Sequence, residues 1–488
     1  MNEQTPFRPK ARLPRGFRDR DEAELAAERR MLDTIRRVYS SYGFQALETS
    51  SLEYADALGK FLPDSDRPNE GVFSLKDDDG QWVSLRYDLT APLARYVAEN
   101  FQTLPKPFRR YQMGTVWRNE KPGPGRYREF TQFDADTVGT ASPAADAELL
   151  MMCADTLEAL GLRRGDYFVK LSSRKLLDAV MDSIGVEAGK RSTVLRAIDK
   201  LDRLGLEGVR ALLGAGRKDE SGDFTKGAGL SDAGIETLLQ FLTIRERGEN
   251  FYEAGLNLIG EELWNKGAGA LVEISNFCKA CGYQSDRILI DPSIVRGLDY
   301  YTGAVYEAQL TFPVTNDSGE LVVFGSVGGG GRYDDLIARF TGQTVPASGF
   351  SIGVSRLLSA LKARAGAESF AMEPLVVVLA LGNVQSSFRM AGELRGAGIR
   401  AETYVGTKRF GDQLKYADRR GAAIAVIEGD DERARGEVTL KDLALGAELA
   451  KSIESRAAWV ADRPAQQAVP RADLVSTIRA MLAARGKG

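Results

Sequence analysis

Residues 106–139 read KPFRRYQMGTVWRNEKPGPGRYREFTQFDADTVG, and they decide the fold. Lys121-Pro122-Gly123-Pro124-Gly125 is turn-forming and separates two extended runs, so the stretch predicts a β-hairpin with a long loop. Strand side chains alternate between faces. One face of the second strand therefore carries Arg126, Arg128, Phe130, Gln132, Asp134 and Asp136, and the other carries Tyr127, Glu129, Thr131 and Phe133. Arg118 and Glu120 flank the turn on the incoming strand. Two cations, an aromatic ring, an amide and two carboxylates in one row make poor core material. The row suits a ligand with phosphates at one end, a flat ring in the middle and an ammonium at the other; a solvent-facing strand of mixed charge is the alternative.

Around this hairpin the chain changes texture several times. Residues 21–42 have the spacing of an amphipathic helix, with Leu25, Leu32, Ile35, Tyr39 and Tyr42 on one side and Gly43 as a stop. From 71 to 139 short strand-like runs are broken by Gly and Pro. Residues from about 175 to 290 are mostly helical and charged, and strand-like runs return at 288–327. A composition shift at 365–374 precedes LVVVLALG, IRAETYV and AAIAVIEG, which alternate with helices as a small α/β domain. A short helix follows in the tail after 464.

Composition excludes much chemistry. The 488 residues contain no histidine, so a Ser-His-Asp triad, a Cys-His nucleophile, a histidine base and histidine-ligated zinc are all ruled out. Cys153, Cys278 and Cys281 are too few for a disulfide framework or for a four-thiolate metal site, which fits a reducing compartment. No stretch approaches the roughly 20 apolar residues that span a bilayer. The start, MNEQTPFRPKARLPRG, lacks the apolar core of a secretory signal. The expectation is a soluble, cytoplasmic protein. With 65 basic and 68 acidic residues the net charge is −3, so a nucleic-acid partner would have to dock on a local basic patch.

Three further stretches bear chemistry. Ile294–Gly303 (IVRGLDYYTG) could line a polar pocket with Arg296, Tyr300 and Tyr301, or could be a packed strand. Gly328–Gly331 precedes Arg332-Tyr333-Asp334-Asp335. Neither the P-loop nor the dinucleotide-binding glycine pattern is present, so these glycines are expected to permit a close backbone approach. Gly349–Arg356 (GFSIGVSR) reads as a strand feeding a helix, with an arginine at the junction.

Together these pieces resemble the class II aminoacyl-tRNA synthetases, and among them the histidyl-tRNA synthetase family. The hairpin 115–139 is similar to motif 2 of the class and 349–356 to motif 3. RGLDYYTG at 296–303 and GGGGRYDDL at 328–336 resemble the two family signatures, and 408–443 resembles the anticodon-binding domain. The resemblance implies an α+β catalytic core on an antiparallel sheet over 1–372, a mostly helical insertion at about 175–287, and an α/β anticodon-binding domain with a helical tail over 373–488. It implies ligation of L-histidine to tRNA(His) through a histidyl-adenylate, with ATP and Mg²⁺, by a homodimer.

By the same resemblance, Asp88, Thr90 and Gln132 would hold the α-amino group of histidine, and Asp136 and Tyr301, with Tyr300 alongside, its imidazole. Arg118 and Arg296 would grip the α-phosphate, Phe130 would stack on adenine, and Glu120, Arg126 and Arg356 would serve the rest of ATP. Lys408, Arg409, Lys415, Arg419 and Arg420 are the candidates for tRNA. Two positions depart from the family pattern: Ser50 stands where motif 1 usually has proline, and Ser355 where motif 3 usually has glutamate.

Overall fold

The computed structural model describes residues 8–58, 71–122, 127–218, 222–295, 301–315, 321–365, 373–443, 445 and 465–485. Arg126, Arg296 and Tyr300 lie outside the described residues. The chain divides into two compact units, 1–370 and 371–488.

The first unit is built on an eight-stranded sheet. In chain order its strands are β1 (Gln45–Ala46), β2 (Phe108–Trp117), β3 (Glu129–Val138), β4 (Tyr167–Ser173), β5 (Ile288–Ile290), β6 (Ala304–Leu310), β7 (Ser326–Arg332) and β8 (Ala347–Gly353). They lie in the order β1-β2-β3-β8-β7-β6-β4-β5. The interior pairs are antiparallel, and only the two edge pairs, β1 with β2 and β5 with β4, are parallel. One face of the sheet is closed by helices α1 (Glu22–Ser41), α3 (Pro143–Ala159) and α4 (Val354–Ala365). Asp21 caps α1 by accepting from the Glu24 amide at 2.8 Å, and Ile35 and Tyr39 on its apolar stripe are fully buried. Tyr39 meets Phe133 of β3 edge-on, with ring centroids 5.0 Å apart, an arrangement worth roughly 0.5–1.5 kcal/mol beyond the area it buries. With that face packed, the even-numbered residues of β3 point to the opposite side.

One sequence expectation is corrected here. The run 71–139 is not strand throughout, because Thr90–Glu99 forms a helix, α2. Asp88 accepts from the amides of Thr90 and Ala91 at 3.2 and 2.9 Å, Pro92 sits in the first turn where no amide is needed, and Leu93, Ala94 and Val97 are buried. The glycine run lies within strand β7. A Cβ on Gly330 would strike the Gly349 carbonyl, and one on Gly328 would meet the Phe350 ring at 2.9 Å, so close backbone approach is what these residues provide. Among the described residues between β4 and β5 lie six helices, from Arg174 to Ala280, and a two-stranded ribbon.

The second unit holds a five-stranded sheet of β9 (Val376–Val378), β10 (Ala401–Thr403), β11 (Ile424–Ile427), β12 (Glu437–Asp442) and β13 (Gln466–Pro470), in the order β10-β9-β11-β12-β13. The first three strands are parallel and the last two pair antiparallel. Helices α5 (Val384–Gly396), α6 (Phe410–Arg419) and α7 (Leu474–Arg485) pack with it, beside a short helix Asp430–Arg435.

Candidate active site

Strand register assembles the site. Arg110, Gln112, Gly114 and Val116 of β2 lie opposite Asp136, Asp134, Gln132 and Phe130 of β3. Across the next pair, Asp136, Asp134 and Gln132 meet Gly349, Ser351 and Gly353 of β8, and Gly349 and Ser351 in turn meet Gly331 and Gly329 of β7. Directly opposed residues share a face. One surface of the sheet therefore carries carboxylates on β3 beside a floor of glycines on β8 and β7.

The floor is bare so that side chains can lie across it. A Cβ on Gly349 would collide with the Asp136 carboxylate, and one on Gly331 would come within 3.0 Å of the Tyr301 ring. Asp136 and Tyr301 thus lie over two laterally adjacent glycines, facing the same shallow space. Asp136 is fixed by two groups that local sequence did not single out. Arg110, wholly buried, pairs with its Oδ2 at 2.8 Å and also donates to the Leu89 carbonyl at 2.8 Å. Tyr333 donates its hydroxyl to Oδ1. Burial raises the pKa of Asp136 while Arg110 and Tyr333 pull it back down.

Asp134 and Gln132 continue the row. Gln132 donates from Nε2 to Ser351 Oγ at 3.0 Å, and Ser351 donates to Asp134. The buried Gln132 Oε1 has no hydrogen-bond partner among the described residues, a cost that an incoming donor would relieve. Burial, with the Asp136 charge next, pushes the Asp134 carboxyl up to about 8. Asp88 is buried too, and burial raises its pKa against the α2 amides and Arg118. Three buried carboxylates round one fixed cation give a surface that favours a positively charged guest.

Toward the turn the character reverses. Arg118 donates from Nε to the Tyr87 carbonyl at 3.2 Å, and its guanidinium carbon lies 5.2 Å from the centroid of the half-buried Phe130 ring. Its backbone continues the hairpin, with the Arg118 amide on the Arg128 carbonyl at 2.9 Å. The Glu120 side chain is exposed beside them. Arg356, in the first turn of α4, donates to the Phe324 carbonyl. Ser355, the departure from motif 3, accepts the Thr131 amide at 3.1 Å and ties α4 to the start of β3. Of the residues expected at the site, Gln132 and Asp136 lie on this face with Asp88 and Tyr301 beside them, and Arg118, Phe130 and Arg356 stand toward the end of β8 that meets α4.

A chain with this sheet, a carboxylate row facing a glycine floor and an arginine–phenylalanine pair at the turn matches known proteins closely. The family model for histidyl-tRNA synthetase matches residues 16–357, and that for the anticodon binding domain matches 375–481. The chain belongs to the histidyl-tRNA synthetase family. The histidine--tRNA ligase of Rhizobium leguminosarum bv. trifolii is 58% identical over 99% of this chain and 97% of its own length. That of Caulobacter vibrioides is 54% identical over 98% of each. The crystal structure of histidyl-tRNA synthetase from Nostoc sp. superposes with a TM-score of 0.69 at 28% identity, covering 97% of this chain and 99% of the other. The glycine signature has a physical role in this fold. Arg332 of the glycine signature reaches under the sheet to Asp146 of α3, which also takes the hydroxyls of Tyr306 and Ser348, while the next residue, Tyr333, clamps Asp136.

In the second unit, Lys408, Arg409, Lys415 and Arg419 are exposed at and along α6. Arg420 pairs with Glu402 at 3.3 Å. Val405 and Phe410 are exposed beside the first two cations. Cys278 is buried at the end of the helix Glu261–Ala280 and Cys281 is exposed just beyond it. No helix among the described residues is long and apolar enough to cross a membrane.

Proposed function

We propose that this face binds histidine and ATP side by side, and that the chain joins histidine to the 3′ end of tRNA(His). The observation that carries the reading is Asp136, held by Arg110 and Tyr333 over the glycine floor beside Tyr301. A buried carboxylate and a phenol matched to an imidazole would be left unsatisfied by an apolar side chain, which is the strong form of discrimination. Asp88, Thr90 and the Gln132 carbonyl would receive the α-ammonium, and Tyr300 would stand next to Tyr301.

That orientation points the histidine carboxylate toward Arg118. A carboxylate oxygen attacks the α-phosphorus of ATP, the bond to the bridging oxygen breaks, and pyrophosphate leaves. The nucleophile is already an anion, so no base is needed, and positioning and cations supply the catalysis. Arg118 and Arg296 would neutralise the α-phosphate and Phe130 would stack on adenine. Arg126 and Arg356 would meet the outer phosphates. Mg²⁺ would shield the charge of those phosphates, and the exposed carboxylate of Glu120 suits it. In the second step a hydroxyl of the terminal adenosine attacks the acyl carbon, AMP leaves, and the departing phosphate takes the proton.

The first unit would carry this chemistry, and the cations of α6 would hold the anticodon end of the RNA. A homodimer would form over the open groove of about 640 Å³ lined by Ser50, Leu52, Tyr54, Val83 and Phe340. Leu52 and Tyr54 there are 44% and 57% exposed, apolar surface that a partner subunit would cover. Three free thiols, two of them buried, suit the cytoplasm. ATP–pyrophosphate exchange measured with each amino acid in turn tests the reading: exchange should depend on histidine, and exchange driven by another amino acid would refute it.

A further inference from the structure

Residues 8–18, RPKARLPRGFR, carry five cations and no carboxylate in a chain whose net charge is −3. Arg8, Lys10, Arg12 and Arg15 are all exposed, and none forms an ion pair with a described residue. The segment has no secondary structure of its own as far as Leu13, yet its end is firmly docked. The Gly16 carbonyl accepts the Arg128 amide at 2.9 Å, adding a strand-like contact outside the hairpin. Arg18 lies over the Tyr127 ring at 4.4 Å, and Phe17 packs on Phe73 with centroids 5.8 Å apart. Docking depends on glycine at this point. Gly16 has φ +86°, and a Cβ there would come within 2.9 Å of the Arg128 side chain.

The Arg128 backbone that receives Gly16 also receives Arg118, so the arm is fastened one hydrogen bond from the residue that faces the α-phosphate. From Gly16, eight extended residues reach at most about 29 Å. The anchor beside Arg118 puts these cations where they could meet an RNA whose 3′ end enters the site. From this geometry we infer that residues 8–15 form a basic arm that binds the phosphates of the acceptor strand of tRNA as its end enters the site. This rests on the proposed ligase reading. The four cations are exposed, and none is among the residues assigned to histidine or ATP, so the arm is expected to act on the RNA step. It supplies local positive charge that the chain as a whole lacks.

The test compares wild type, the fourfold variant R8A/K10A/R12A/R15A, and Gly16→Ala, which keeps every cation but disturbs the docking. Histidine-dependent pyrophosphate exchange needs no RNA; in wild type it checks the ligase reading by itself. For the fourfold variant, exchange should stay within twofold of wild type, while KM for tRNA rises at least tenfold. The slope of log affinity against log salt should fall by about three to four, near one per cation removed. Gly16→Ala should raise KM for tRNA in the same direction. The same loss should appear with an acceptor-stem RNA hairpin that has no anticodon. An unchanged KM and salt slope would overturn the inference. So would an equal fall in exchange, which would make the arm a brace for the hairpin, or a loss confined to full-length tRNA.

Discussion

Replacing Asp136 by asparagine keeps the volume and one acceptor but removes the charge that Arg110 and Tyr333 hold in place. A hydrogen bond to a charged group contributes about 1.5–3 kcal/mol. Losing that advantage at the imidazole should weaken histidine roughly 10- to 150-fold. ATP should feel little, because Arg118 and Phe130 lie toward the turn, eight and six residues along their strands from the paired Arg110 and Asp136. Stability changes for a separate reason. The folded pKa of Asp136 is raised, so its ionisation above the unfolded value costs stability that asparagine no longer incurs. Against this, the buried Arg110 loses its counter-charge, and breaking a buried pair costs about 3–5 kcal/mol. The variant should therefore melt lower yet remain assayable. Pyrophosphate exchange with histidine and ATP varied separately, alongside thermal unfolding, separates the effects. A histidine KM raised at least tenfold with an ATP KM within twofold is expected. Equal increases in both would refute the assignment of Asp136 to the imidazole.

Three other outcomes follow from the same geometry. The Asp134 carboxyl, pushed up to about 8, should be drawn down by a bound ammonium. Histidine binding should then release protons at neutral pH and tighten as pH rises toward 8, and calorimetry in buffers of different ionisation enthalpy should show it; identical heats in all buffers would contradict this. Gly349→Ala puts a methyl where the Asp136 carboxylate lies, so histidine-dependent exchange should fall at least a hundredfold while ATP binding, read by equilibrium dialysis, persists. Changing Lys408, Arg409, Lys415 and Arg419 together to alanine should leave pyrophosphate exchange intact but raise KM for tRNA and flatten its salt dependence; an unchanged slope would place the RNA elsewhere.

Much of the site was legible because a hairpin carries its own register. If the turn-forming stretch 121–125 is taken as the symmetric centre of the hairpin, residues whose numbers sum to 246 should pair, and the Arg110–Asp136 pair obeys that rule. Arg110 could thus have been found by counting back across the turn. Its neighbour Arg109 shows the same residue type on the other face, where it pairs with Glu148 of α3. Tyr333 could not have been found in this way. Its place depends on β7 joining β8, a pairing between strands remote from the hairpin turn, and local pattern does not encode such partners. Helix α2 was missed because threonine and proline open it and its apolar run is short. Only the Asp88 cap and burial against the sheet make it a helix.

The most direct measurement is a crystal structure of the chain with bound histidine. The imidazole should lie over Gly331 and Gly349 between Asp136 and Tyr301, and the α-ammonium should reach Asp88 and the Gln132 carbonyl. A histidine bound the other way round, with its ring toward Arg118 and Phe130, would contradict the account.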